Sequence, residues 1–268
     1  MKHILYLCTA PEPAIPGTDA VFQEIERLRA SFGGSFLGLY PLRKPSRFVP
    51  HWLMGIHNRE RLREAMRQAD VVHVFSATLK PLPCIEPFSG RIVYTVTAAA
   101  GRTINATWFN DRMITVAASH EREADRLRRA GVKDVACVVP GLELGRFACT
   151  PAPAKPFTLL VGSAPWTRAQ FRTKGVDVLI EAMRRIPELN ITFLWRNLWY
   201  DDLRKRIDRA GLDARTVVYN QRMDVSHVLS GCHAAVVLAA HERLVKAWPH
   251  SAIEALAAGR PVLLSRAI

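Results

Sequence analysis

Near the end of the chain, the stretch KAWPHSAIEALAAGRPVLLS (residues 246–265) combines a cation, a helix start and a carboxylate. Their spacing suits an anion with an attached polyol. Pro249 has a fixed φ and no N–H, so it fits a first helical position, where that donor lacks a partner anyway. The backbone N–H groups of His250, Ser251 and Ala252 then face the loop before the helix, at the positive end of its dipole. Glu254 lies one turn further in and faces the same end. Lys246, three residues before Pro249, can add an ammonium beside the helix start. The same residues also describe an ordinary capped helix packed on a sheet, with Lys246 a solvated loop lysine paired to Glu242.

A helix of this kind needs a strand behind it. Gly259 stops the helix in a left-handed position, Pro261 follows, and Val262, Leu263 and Leu264 make a short buried strand. The rest of the chain repeats that alternation. Near the N-terminus, HILYL reads as a buried strand, and a helix follows with Val21, Ile25, Leu28 and Phe32 at helical spacing. Gly33-Gly34 end it before the strand SFLGLY. Gly17 lies in the first strand-to-helix loop, where sheets of this class place ligands, although a plain loop glycine looks the same. VVHVF, IVYTV and MITVAA have the composition of parallel strands, and His73 and Thr97 lie at or near the carboxyl ends of the first two. TPAPAKP is a Pro-rich joint, after which FTLLVG, a helix VDVLIEAMRRI, ITFLW, VVYNQ and AAVVLAA resume the pattern. The expected fold is α/β with two doubly wound domains, residues 1–150 and 157–268, joined by a linker at 151–156.

Composition narrows the function classes. With 268 residues, 49% of them hydrophobic, the chain can bury a sizeable core. No apolar run reaches the roughly 18 residues of a membrane span, and the N-terminal ILYLC is too short for a signal segment, which points to the cytoplasm. The net charge of +13 is spread over both halves, without a basic tail, zinc-finger spacing or aromatic nucleic-acid motif, so nucleic acid is not an expected partner. Residues 41–57 mix Arg43, Lys44 and Arg47 with Phe48, Trp52, Leu53 and Met54; this suits either lipid headgroups or a basic excursion packed on its own domain. Cys8, Cys84, Cys137, Cys149 and Cys232 are scattered and odd in number, which suggests buried thiols and neither a disulfide framework nor a zinc site.

Several segments together resemble the retaining family-4 glycosyltransferases of the GT-B fold. The family's donor motif has Glu, seven residues, Glu, then an Ala-Gly-x-Pro-Val strand; Glu254 and Ala258-Gly259-Arg260-Pro261-Val262 match, and Lys246 stands where the first Glu is usual. VVPGLELGRF resembles the segment that closes the family's N-terminal domain, through Pro140, Gly141, Leu144, Arg146 and Phe147. In the second domain Lys174-Gly175 match a Lys-Gly pair whose lysine clamps the donor diphosphate together with an Arg. Ser163 stands at the Arg position, so the resemblance leaves that half of the clamp to Arg168 or Arg172 in the same loop. Arg196 and Asn197 replace a Gly-rich turn. The loop holding Gly17, followed by Gln23-Glu24, is similar to the family's Gly-rich turn, and Thr97 occupies the place of a common His, so no imidazole is expected there.

The resemblance implies two Rossmann-like domains with the donor cleft between them and the acceptor on the N-terminal side, where Thr97 is a candidate. Members continue beyond the point equivalent to Ile268, which implies an incomplete second domain and an early end. It implies transfer of a sugar from a nucleotide-sugar donor to a hydroxyl of a glycan or lipid-linked acceptor, with retention. The catalytic candidates are Lys174 and Lys246. The donor-binding set adds Gly17, Ser163, Arg168, Arg172, His250, Ser251 and Glu254, with Glu254 on the ribose. No Asp-x-Asp motif occurs, and neither a metal nor a cofactor is expected. The location expected is cytoplasmic, with peripheral contact at the inner face of an anionic membrane as an option. The departures at Lys246, Ser163 and Thr97 equally suit a non-catalytic module that holds a nucleotide sugar, and a nucleotide-sugar epimerase is a third class on the same fold.

Overall fold

The computed structural model describes residues 2–42, 49–98, 104–154, 156–245 and 248–268. It divides into two compact units, Met1–Glu12 with Ala20–Pro140, and Pro13–Asp19 with Gly141–Ile268. The segment expected to link the domains, residues 151–156, lies within the second unit.

The first unit holds β1 (Ile4–Cys8), α1 (Ala20–Phe32), β2 (Ser35–Gly38), α2 (Arg59–Arg67), β3 (Val71–Ser76), β4 (Arg91–Val96), α3 (Ala106–Asp111), β5 (Thr115–Ala118), α4 (Glu121–Arg129) and β6 (Val135–Cys137). Its six strands are all parallel, in the order β2-β1-β3-β4-β5-β6. Such a sheet is covered on both faces, which is why its strands read as continuous apolar runs. Leu5, Leu7, Val72, Val74, Tyr94, Val116 and Phe109 belong to the core on one face, and Tyr6, Cys8, Phe75 and α1 residues Val21, Phe22 and Ile25 to that on the other. His73, expected near a strand end, instead sits inside β3. Its ring stacks on Phe75 with centroids 4.3 Å apart, and Nε2 lies 2.7 Å from Thr95 Oγ1. Burial pushes its pKa down to about 4, so it is a neutral packing histidine.

The second unit holds β7 (Phe157–Val161), α5 (Gln170–Thr173), α6 (Val176–Arg185), β8 (Leu189–Leu194), α7 (Tyr200–Arg209), β9 (Thr216–Tyr219), α8 (Val225–Ser230), β10 (Ala234–Val237), α9 (His250–Ala257) and β11 (Val262–Leu264). The strands are again parallel, in the order β11-β10-β7-β8-β9. Both sheets therefore reverse strand order once, between β1 and β3 and between β7 and β10. The carboxyl ends flanking such a reversal are where doubly wound sheets open a crevice for ligands. The doubly wound α/β expectation holds for each unit.

Arg260 fastens the chain that enters the second unit. It is 3% exposed, and its guanidinium donates to the carbonyls of Leu229, Thr150, Pro151 and Ser230 and to Thr150 Oγ1. The five cysteines are free thiols; Cys8 and Cys232 are buried as expected, while Cys149 is exposed. Among the described residues, no helix is long and apolar enough to cross a membrane.

Candidate functional site

The reversal in the second sheet puts the residues following β7 and β10 side by side, and two glycines let neighbouring segments close on them. Gly162 follows β7; a Cβ there would lie 2.8 Å from Ser251 Cβ, so a glycine admits the first turn of α9. Gly175 precedes α6 with φ +74°, and a Cβ there would lie 2.6 Å from Leu238 Cβ. The turn before it is held by the Ala240 N–H, which donates to Thr173 O at 2.7 Å. Lys174 is thereby fixed at the carboxyl end of the sheet.

Lys174 is 7% exposed, and its ammonium donates to Ser163 Oγ and Ala164 O, both at 3.3 Å. Burial first, and the Arg196 charge second, pull its pKa down to about 7, against a smaller opposite effect of Asp19. Ser163, read as a missing cation, is thus a hydrogen-bond acceptor for Lys174. Arg196, which follows β8, supplies a second cation: Nη2 donates to the same Ala164 O at 2.6 Å, and Nη1 pairs with Asp19 Oδ2 at 2.9 Å. The guanidinium lies 4.2 Å from the Trp166 ring centroid. Its Nε is buried and meets no hydrogen-bond acceptor among the described residues. Burial lowers the Arg196 pKa and the Asp19 carboxylate opposes that shift.

Arg168 and Arg172, the alternatives offered for this place, are both exposed. Arg168 turns to Asp202, 3.2 Å away, and stacks over Trp199, with its side chain 68% exposed. Arg196 escaped the sequence reading because it was taken only as a departure from a Gly-rich turn. Its place just after a parallel strand, at the carboxyl end of the sheet, was the available signal.

α9 begins at His250, so Pro249 is the residue before the helix and not its first member. The Ala252 N–H, expected to face the loop, donates instead to Pro249 O at 2.9 Å, which leaves His250 and Ser251 as the helix start. Glu254 is half-buried on α9. Gly17 has φ +73°, a conformation that L side chains rarely adopt, and lies beside the end of the Arg222 side chain. Asp19, just before α1, is the carboxylate on Arg196. Lys246 lies outside the described residues, as do Arg43, Lys44, Arg47 and Phe48.

In the first unit Thr97 follows β4, and its N–H donates to Ser76 O at 2.9 Å. An imidazole does come to the end of the adjacent strand, from the β2–α2 connection. His51 Nε2 lies 2.8 Å from Thr78 Oγ1 and 3.2 Å from Ser76 Oγ, which also accepts from Thr9 Oγ1 at 3.0 Å. Its Nδ1 is 3.3 Å from Pro81 O. A carbonyl only accepts, so Nδ1 carries the proton and Nε2 presents a lone pair. Burial keeps the His51 pKa below its ordinary value. Among the described residues, no group of three His, Cys, Asp or Glu is arranged to hold a metal ion.

A family model, Glycosyl transferases group 1, matches residues 167–268, which include Lys174, Arg196 and α9. No curated protein matches the chain. Among solved structures, the chain is similar to HepE from Anabaena in complex with UDP and glucose, with 16% identity, a TM-score of 0.67, and coverage of 100% of this chain and 81% of that one. It is also similar to WaaG, a glycosyltransferase involved in lipopolysaccharide biosynthesis, at 16% identity and TM-score 0.60, over 98% and 81% of the two chains. The lipopolysaccharide outer core galactosyltransferase WaaB matches at 12% identity and TM-score 0.59, over 99% and 81%. The fold is the one these structures share.

Proposed function

We propose that this chain is a retaining glycosyltransferase that moves a sugar from a nucleotide-sugar donor to a hydroxyl of a glycan or lipid-linked acceptor. The observation that carries the reading is the pair of buried cations, Lys174 and Arg196, meeting at the Ala164 carbonyl at the strand-order reversal of the second sheet. When the bond between the sugar's anomeric carbon and the diphosphate breaks, negative charge develops on the leaving oxygen. Preorganised donors held out of water stabilise such charge far better than water does. Lys174, Arg196 and the start of α9 supply them without a metal, and Glu254 takes the ribose hydroxyls. Lys246 adds a third cation in this reading. The protein acts in the cytoplasm, where Trp52 and Ile56, 63% and 56% exposed, touch an anionic membrane.

A second reading, a module that holds a nucleotide sugar and transfers nothing, is favoured by Lys246 at the family's acidic position. The test is release of nucleoside diphosphate from UDP-glucose, UDP-galactose, UDP-N-acetylglucosamine and GDP-mannose, with and without glycan acceptors, beside calorimetric binding of each donor. Transfer should fall about 10²–10³-fold in Lys174→Ala and in Arg196→Ala, the usual effect of removing one such donor. Binding without release from any donor establishes the module, and absence of binding sinks both readings.

A further inference from the structure

Among the described residues, the cations at the second sheet are not matched by equal acceptor capacity, and the carboxylate that pairs with Arg196 comes from the loop before α1. Asp19 is 6% exposed and Arg196 has a side chain 12% exposed, so this ion pair is shielded from water. Arg196 nevertheless keeps a buried Nε–H with no acceptor among the described residues. Lys174 has three ammonium hydrogens but makes two long hydrogen bonds, one to a hydroxyl and one to a carbonyl, neither of them charged. Leaving a buried donor unsatisfied is costly, more so when it is charged, and this cluster has donors for a larger anion than a single carboxylate.

We propose that Asp19 is a specificity-determining residue: its carboxylate is a resident anion on Arg196 that a diphosphate group displaces and a monoanion does not. This rests on the reading of Lys174 and Arg196 as diphosphate ligands. A singly charged ligand that replaces Asp19 exchanges one ion pair for an equal one and gains nothing. A diphosphate brings several oxygens, enough to meet Arg196 Nη1, the orphaned Nε and the Lys174 ammonium together. The guanidinium is already oriented by Ala164 O and by the Trp166 ring, so it presents the same fork to either anion. Asp19 thus sets a threshold of charge and size that a ligand must exceed, and the released carboxylate leaves with its segment, Pro13–Asp19.

The test is calorimetric titration of the whole protein with inorganic phosphate, inorganic pyrophosphate, UDP and GDP, comparing the parent with Asp19→Asn and Asp19→Glu. Asp19→Asn should bind pyrophosphate at least about ten-fold more tightly, and should gain more for phosphate, so that discrimination between the two shrinks. Asp19→Glu, which keeps the charge, should gain nothing. An Asp19→Asn protein with unchanged melting temperature and unchanged or weaker pyrophosphate affinity overturns the inference while leaving the diphosphate site intact. If neither parent nor variant binds any diphosphate, the site reading itself fails and takes the inference with it. Should Asp19→Asn not fold, hydrogen exchange of the parent decides: amides of residues 13–19 must exchange faster with pyrophosphate bound, and slower or unchanged exchange overturns the displacement.

Discussion

At the scale of single residues, the feature with the largest chemical consequence is a lysine whose charge the protein holds at its limit. Lys174 titrates near pH 7, far below a solvated lysine, because burial and the Arg196 charge both oppose the ammonium, with Asp19 partly restoring it. Among the described residues, the groups around it are Ser163 Oγ, Ala164 O, Arg196 and Asp19. Between pH 7 and 9 a nucleoside diphosphate only gains negative charge, so under the proposed function a fall in its affinity reports the lysine. Affinity should be highest near pH 7 and fall as the pH rises, by at most about ten-fold per pH unit, because the complex keeps the proton that the free lysine loses. Lys174→Arg, with a guanidinium that stays charged, should flatten the profile; calorimetry between pH 6.5 and 9 reads both. A sloping profile in the Arg variant removes Lys174 as the titrating group.

At the scale of elements, the turn between α5 and α6 shows how backbone places chemistry. Gly175 has φ +74°, a region that costs other residues about 1–2 kcal/mol, and its missing Cβ makes room for Leu238. Gly175→Ala should therefore destabilise the protein by roughly 2–4 kcal/mol in urea unfolding, strain and overpacking together, and weaken diphosphate binding by shifting Lys174. Much of this level was legible in the sequence. The strands FTLLV and AAVV, the stop at Gly259 and the Lys174-Gly175 pair are local signals, and each stands where its pattern implied. What could not be read were pairings across long separations. Arg196 meets Asp19 across 177 residues, and His51 reaches Ser76 from another connection; no periodicity encodes either. The Ala252 amide was misread because one proline shift at the helix start reassigns its hydrogen bond. Arg168 was misread because loop proximity in sequence says nothing about which way a side chain turns.

At the scale of the whole molecule, a buried arginine ties together segments that lie far apart in sequence. Arg260 gathers four backbone carbonyls and one hydroxyl from the end of α8 and from residues 150–151. Arg260→Met keeps much of the volume but strands those acceptors, and should cost on the order of 3–5 kcal/mol with a matching fall in melting temperature. Limited proteolysis should then cut within residues 150–156 first; an unchanged cleavage pattern means that this segment is held by other contacts. The all-parallel sheets have a further consequence, for the time at which the molecule can assemble. The central strand β7 meets its neighbour β10 across a separation of about 75 residues, marked by the bond between Thr158 and His233. Loop closure over such distances delays folding, and no hairpin is present among the described strands to form early. At a synthesis rate of roughly 5–20 residues per second, β7 emerges about 4–15 seconds before β10 exists, an interval in which the N–H and C=O groups of its β10-facing edge have no native partner and are open to pairing with other chains.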